Sequence, residues 1–395
     1  MLCFFYLTVN AQYFTLDGGR SKSIPFELVR NLIVIKVNIN NKGPYNFVLD
    51  TGVGFMLITD PTLLDSIKIP NKRSIKINGF GDGPAFEAYL TPPLKVDIAG
   101  LISNNVSAAI FKKDAFGLSN YSGIPIHGLI GYEFFSRLAV KISFSDTTMR
   151  VSLPKDMRFY KKGSKIPLSI EDKKPYLTTK VVFADGSEKQ NKLIVDLGAG
   201  HFISMEGLEN KAAIQKKFIN ANLGMGINGL ISGTLSRVKE VELGAYRVKN
   251  VIAAFPEDEA RTRALTVPRD GNLGIGLLKK FDLIIDYPDS VIYLKPGPNY
   301  RKTEEHDMSG LVYFADVLDD FQHIIIYQIE PESAGETAGL QPNDEIVAIN
   351  FKPVSPLSMQ QIDDLFRSSD GRLLILGIFR NKKYINVLLT LKRRI

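Results

Sequence analysis

Two aspartates carry the clearest chemical signal in the sequence. Asn46-Phe-Val-Leu-Asp-Thr-Gly-Val-Gly54 and Lys192-Leu-Ile-Val-Asp-Leu-Gly-Ala-Gly200 each run an apolar strand pattern into Asp-x-Gly-x-Gly. An aspartate at the end of a buried strand and in a glycine turn lets backbone amides approach its carboxylate with no Cβ in the way. Two such carboxylates placed face to face cannot both ionise cheaply, so they share a proton over an acid-to-neutral range. The ionised partner can take a proton from water, and the protonated partner can donate to a carbonyl oxygen. Asp50 and Asp196 are therefore the candidate catalytic pair. Thr51 and Gly52 in the first loop, and Leu197, Gly198 and the small Ala199 in the second, are its candidate supports. One Asp-Thr-Gly alone reads better as a turn closing a hairpin, and it is the recurrence that carries the argument.

The recurrence extends along the chain. Gly128-Leu-Ile-Gly131 ends 81 residues after Asp50, and Gly271-Asn-Leu-Gly274 ends 78 residues after Asp196. An apolar strand pattern follows each, Leu138–Phe144 and Phe281–Tyr287, and Ile24-Pro25 and Ile166-Pro167 open the two units. The spacing predicts two homologous lobes related by a pseudo-twofold axis. Each lobe reads as β. Leu32–Ile39, a turn at Asn41–Pro44 and Tyr45–Leu49 correspond to Tyr176–Phe183, a turn at Ala184–Ser187 and Lys192–Val195. Ser204–Phe218 is the one longer helical pattern expected. Glycine-rich stretches begin 28 residues after Asp50 and 27 after Asp196, at Asn78 and Leu223. Gly79, Phe80 and Gly81 in the first, and Gly224, Met225 and Gly226 in the second, are candidate flap residues that would cover a cleft and exclude water.

Composition narrows the function classes. With 395 residues, 45% hydrophobic and 23% charged, the chain is neither disordered, collagenous nor a coiled coil, and two or three domains are expected. The net charge of +7 is spread over short groups such as Lys161-Lys162 and Lys392-Arg393-Arg394, so no nucleic-acid partner is expected. No apolar run reaches the length of a membrane span, and no peripheral membrane association is indicated. Cys3 is the single cysteine, and His127, His201, His306 and His323 show no ligand spacing, so neither metal nor organic cofactor is expected. His201 sits just past the second Asp motif and reads as a surface or satisfied core histidine. Gly117-Leu-Ser-Asn-Tyr121 lacks the second glycine of a serine-nucleophile elbow. Apolar Met1–Leu7 and the small residues before Gln12 mark residues 1–11 as the remnant of a secretory signal, and predict an extracytoplasmic (periplasmic or secreted) protein. The expected units are 12–155, 156–300, a polar linker at 301–309, and a third unit at 310–395. Asp363-Asp364, on the helical pattern Met359–Arg367, reads as solvated surface.

Asp50-Thr51-Gly52, Asp196-Leu197-Gly198, Leu129-Ile130-Gly131 and Asn272-Leu273-Gly274 together resemble the bacterial retropepsin-like aspartyl proteases in a duplicated, single-chain form. The resemblance covers most of 24–296. In that family the later element is apolar-apolar-Gly and packs as a ψ-shaped support behind the catalytic loop. The third unit resembles a PDZ domain of the bacterial protease type, over Ser333–Asn350. The resemblance implies a mainly-β fold: two retropepsin-like (acid protease) β-barrel lobes about a pseudo-twofold axis, a cleft between them, and a PDZ domain after them. It implies an aspartic endopeptidase that hydrolyses peptide or protein substrates with an activated water, and a monomer, since one chain holds both halves of the dyad. A PDZ groove takes an extended peptide by strand addition and holds its carboxylate on backbone amides. That carboxylate loop is expected around Leu311–Val317, before the strand Ile324–Ile329, where the usual glycine pattern is missing. Three departures keep open an alternative, a catalytically weakened or inactive peptide-binding scaffold. Leu197 stands where the family has a hydroxyl that braces the lobes, Val53 is expected to crowd the first loop, and Asn272 puts a polar residue in the second support.

Overall fold

The computed structural model describes residues 14–16, 19–77, 86–114, 116–207, 217–226, 229–257, 266–316 and 322–395. The signal-like residues 1–11 and the flap candidates Gly79, Phe80 and Gly81 lie outside them.

The first lobe grows from the hairpin Leu32–Ile39 and Lys42–Leu49, whose inward residues Ile33, Ile35, Val37, Ile39 and Phe47 are fully buried. Gly128–Ile130 runs parallel to Lys42–Leu49 and antiparallel to Met56–Ile58. Met56–Ile58 runs parallel to Ala108–Phe111, which leads antiparallel to Phe86–Leu90 and then Arg73–Ile77. The second lobe repeats these pairings in order and sense. Lys174–Val182 pairs with Glu188–Asp196, which runs parallel to Gly271–Gly274, which is antiparallel to Ile203–Met205. Ile203–Met205 runs parallel to Tyr246–Pro256, which leads antiparallel to Gly229–Leu243 and then Phe218–Gly226.

A third sheet joins the lobes. Its order is Ser164–Pro167, Val291–Pro296, Phe281–Asp286, Ala139–Ser143, Thr148–Ser152, Ser21–Pro25, so the two strands that follow the glycine elements pair antiparallel at its centre. Val140, Ile142, Leu283 and Ile285 are buried there, in a hydrophobic core that runs through both lobes. The expected openings Ile24-Pro25 and Ile166-Pro167 lie on its outer strands.

The helix expected over Ser204–Phe218 does not form at either end. Ser204 and Met205 belong to the strand Ile203–Met205, and Phe218 opens the strand Phe218–Gly226; residues 208–216 lie outside the described ones. Pairing with Gly271–Gly274 and Tyr246–Pro256 fixes the first of these strands, and local periodicity carries no trace of such long-range partners.

The C-terminal unit has its own core, which includes Met308, Tyr313, Ile346, Ile362 and Phe366. Its sheet order is Leu311–Asp316, His323–Ile329, Glu345–Ile349, Leu373–Arg380, Lys383–Thr390. The helix Met359–Phe366 buries Met359, Ile362 and Phe366, and Ser358 with Gln361 forms a capping box at its start. Three expectations are corrected here. Leu311–Asp316 is the edge strand and not a carboxylate loop, because Leu311, Tyr313 and Ala315 point inward with a period of two. The stretch 301–309 is exposed only over 301–303; His306, Met308 and Ser309 are buried and Met308 belongs to the C-terminal core, so its second half is packed rather than a free linker. Burial, with Arg394 beside it, lowers the His306 pKa to about 3. Asp363 is buried and ion-paired, and only its neighbour Asp364 is exposed.

Candidate active site

Each candidate aspartate leaves a buried strand and is held from behind by a glycine. The Asp50 amide donates to the Ile130 carbonyl at 2.9 Å. A Cβ on Gly131 would lie 2.2 Å from the Asp50 carbonyl oxygen and 2.5 Å from that of Val53. In the second lobe Asp196 stands opposite Gly274 in the parallel pair, and a Cβ on Gly274 would lie 2.2 Å from the His201 carbonyl oxygen and 2.7 Å from that of Ala199. Both supports therefore need glycine for the same reason, a close approach of backbone to the Asp-x-Gly loop.

The loops then meet. Asp50 Oδ1 accepts from the Gly52 amide at 2.7 Å, and Asp196 Oδ1 accepts from the Gly198 amide at 2.9 Å. A Cβ on Gly52 would come within 2.8 Å of Asp196 Oδ2, and one on Gly198 within 2.2 Å of Asp50 Cγ. Each glycine thus lies against the carboxyl of the other lobe, and the two carboxyls face each other. Burial first, and then the neighbouring Asp196, push the Asp50 pKa well above the usual carboxylate range.

Thr51 is fully buried and ties the lobes together. Its hydroxyl donates to the Val195 carbonyl at 2.6 Å and accepts from the Leu197 amide at 2.9 Å. Leu197 therefore answers Thr51 with its backbone, while its side chain is fully buried in the hydrophobic core. Val53 packs in the apolar cluster of Leu32, Val48, Leu57 and Leu129.

Asn272 is the site residue whose part the sequence did not reveal. Its Nδ2 donates to Asp196 Oδ2 at 2.7 Å. The sequence marked it only as a polar residue in the second support; it sits two residues before Gly274 on one strand, hence on the same face. His201 adjoins both groups; burial lowers its pKa, and Asp196 opposes that shift. A bidentate ion pair, Arg269 to Glu206 at 3.0 Å for both contacts, lies in the same wall.

A cavity of about 770 Å³ opens over the carboxyls. Leu223, Gly224 and Gly226, in the hairpin of Phe218–Gly226 with Gly229–Leu243, line it. The backbone of Met225 belongs to the same hairpin. The cavity continues to Leu311, Tyr313 and Arg367 of the C-terminal unit. No cluster of three or more side chains able to hold a metal ion occurs among the described residues. His127 is a satisfied histidine in the first lobe, its Nδ1 accepting from the Asn46 amide at 3.1 Å, and His323 contacts Glu345 at 2.6 Å.

Residues 35–134 match the family model described as aspartyl protease, and residues 325–380 match the one described as PDZ domain. The first match includes Asp50, Thr51, Gly52 and Gly131; Asp196 lies beyond it. No curated protein matches the chain. The protein is thus mainly β and contains an aspartyl protease domain and a C-terminal PDZ domain.

Proposed function

We propose that the protein is an aspartic endopeptidase whose catalytic pair is Asp50 and Asp196. The observation that carries this reading is the crossed approach of Gly52 to Asp196 and of Gly198 to Asp50, which leaves two carboxyls face to face at the floor of a cavity. With one proton between them, the ionised carboxylate takes a proton from a water as its oxygen attacks the scissile carbonyl. The protonated carboxyl gives its proton to the carbonyl oxygen. Collapse of the tetrahedral species moves a proton to the amine nitrogen and breaks the carbon–nitrogen bond. An extended substrate fits this site, because the hairpin Phe218–Gly226 and Gly229–Leu243 offers backbone and apolar cover above it. Both carboxyls come from one chain, so activity per molecule should not depend on protein concentration. The apolar, signal-like residues at the start of the sequence favour an extracytoplasmic setting.

The test is cleavage of a diverse peptide mixture from about pH 3 to 7, the range in which such a pair can share its proton, with sites mapped by mass spectrometry. Asp50→Asn and Asp196→Asn should each lower turnover by roughly 100- to 10,000-fold. Wild-type protein as silent as both variants across that range would overturn the reading in favour of a peptide-binding scaffold.

A further inference from the structure

We infer that Asn272 is a positioning residue that fixes the charge of the pair on Asp196 and its proton on Asp50. The inference rests on the paired-carboxylate reading and assigns what that reading leaves open, which of the two aspartates is the base.

The two carboxyls are not equivalent. Asp50 accepts from one described donor, the Gly52 amide. Asp196 accepts from two, the Gly198 amide on Oδ1 and Asn272 Nδ2 on Oδ2. The Asn272 amide stands with Nδ2 on Asp196 Oδ2; turned over, its Oδ1 would face Asp196 and call for the proton there, so the orientation of this amide and the charge of Asp196 go together. In this orientation Asn272 Oδ1 and His201 Nε2 are both buried, they adjoin each other, and neither has any further partner. A proton on His201 Nε2 suits that arrangement, because it can be donated to Asn272 Oδ1 and polarise the amide toward Asp196. A hydrogen bond to the charged form favours the charged form, so Asn272 lowers the cost of ionising Asp196. Asp50, deeply buried and faced by that charge, is left to hold the proton, and its raised pKa agrees.

The corresponding residue in the first lobe has no such function. Leu129 occupies the matching place in Leu129-Ile130-Gly131, and it packs in an apolar cluster. The asymmetry is therefore built into the second support strand. The other titratable groups facing the pair do not undo it. Lys174, on Lys174–Val182, favours the charged form of Asp50, but it acts more weakly than burial and Asp196, which both oppose it. Tyr287, at the interlobe sheet with Tyr132 behind it, is pushed up by burial and stays neutral. Glu206 and Arg269 satisfy each other.

The assignment makes Asp196 the base that takes the water proton and Asp50 the acid that donates to the carbonyl oxygen. The test reads the carboxyls directly. Carbon-13 shifts of labelled aspartate carboxyls, assigned with Asp50→Asn and Asp196→Asn, are followed from about pH 3 to 9, a range wide enough to hold both steps of such a pair. In wild-type protein Asp196 should ionise first, and Asp50 should stay protonated well above it. Asn272→Leu, which keeps the size of the side chain and copies Leu129, should move the Asp196 step up by about one pH unit, the usual worth of a hydrogen bond to a charged group. It should leave the later Asp50 step in place. Asn272→Asp should return the early step only below its own pKa, where it can still donate. In the cleavage assay, the acid limb of kcat/KM should move up with Asn272→Leu while the alkaline limb stays. Asp50 ionising first, or Asn272→Leu titrating like wild type, would overturn the inference. An ordered titration in a protein that cleaves nothing would support it and count against the proposed function alone.

Discussion

A methyl group at position 198 has nowhere to go. Its carbon would sit 2.2 Å from Asp50 Cγ and 2.4 Å from Asp50 Oδ2, and that carboxyl is itself fixed by the Gly52 amide. Gly198→Ala should therefore cost about 1–3 kcal/mol of stability, the usual range for overpacking a buried site. It should also part the two carboxyls, and a displacement near 1 Å lowers turnover by roughly 100-fold. Gly54→Ala is the comparison for stability. Its Cβ would meet Lys173 Cβ at an ordinary 3.5 Å, and thermal unfolding should leave it near wild type. Equal melting temperatures for the two variants would count against the crossed approach of the loops. The importance of glycine at these turns was legible in the sequence, because an aspartate that must be reached by amides excludes a Cβ next to it. The behaviour of Leu197 was not. Sequence reasoning weighed only its missing hydroxyl, whereas its backbone amide meets Thr51 and its side chain fills core.

Among the elements, local pattern and long-range pairing divide what could be read. The hairpins Leu32–Ile39 with Lys42–Leu49 and Lys174–Val182 with Glu188–Asp196 were legible, since β-branched runs and a turn of Asn, Gly, Asp and Pro define both locally. Ile203–Met205 was not, for its identity as a strand depends on partners some 50 and 70 residues away, Ala253 and Leu273. Asn272 meets Asp196 only through the parallel register of Leu193 with Gly271, which no periodicity encodes. The short helix Tyr132–Phe135, immediately after Gly131, carries a consequence of the same kind. It buries Glu133, and burial raises that carboxyl from its ordinary 4.5 to about 7. A carboxyl whose folded pKa lies above its unfolded one binds more protons when folded. Its contribution to stability is complete below about pH 4.5 and is lost as pH rises through about 7, a change on the order of 3 kcal/mol. Burial pushes Asp307 up to about 6, and it acts in the same direction. Glu133→Gln should flatten this fall, so urea midpoints at about pH 5 and 8 should differ less in the variant than in wild type. Parallel changes in both proteins would mean that Glu133 ionises freely in the folded state.

At the scale of the whole molecule, the C-terminal unit is clamped onto the lobes by the face formed by its edge strand Leu311–Asp316 and its helix Met359–Phe366. Arg30, in the turn after Glu27–Val29, forks onto Asp363 of the helix Met359–Phe366 at 3.0 and 2.9 Å. Its third nitrogen reaches the Tyr121 carbonyl at 2.9 Å and the carbonyl of Tyr313, on the edge strand, at 3.5 Å. Tyr121 and Tyr313 sandwich the guanidinium at 4.4 and 5.0 Å, and the Tyr313 hydroxyl donates to Asp363. The helix Leu118–Ser122 of the first lobe packs on the edge strand Leu311–Asp316. A peptide added to that edge would have to displace it. The amides of Ser309 and Gly310, just before the strand, are both taken by Asp307 Oδ1, at 2.9 and 2.8 Å. The same turn also reaches the second lobe. Asn31 Nδ2 donates to the carbonyl of Gly200, in the loop after Asp196, and Lys279 Nζ donates to Asn31 Oδ1. None of this could be read from a chain in which Arg30 and Asp363 stand 333 residues apart and Asp363 looks like half of an exposed acidic pair. Removing one partner of a buried, forked ion pair strands the other charge, a loss of about 3–5 kcal/mol. Here that loss falls on a contact between units with separate cores, so Arg30→Ala should undock the C-terminal unit before it unfolds anything. An added protease should then cut the connection around 301–309 faster, and the radius of gyration should rise. Asp363→Ala should do the same. The double variant should be destabilised by clearly less than the sum of the two, because it removes both members of the fork and leaves Arg367 with Asp307 as its remaining acidic neighbour. Strict additivity, with the connection still protected in both single variants, would mean that the apolar contacts of Leu118–Ser122 hold the unit and that Arg30 only decorates it.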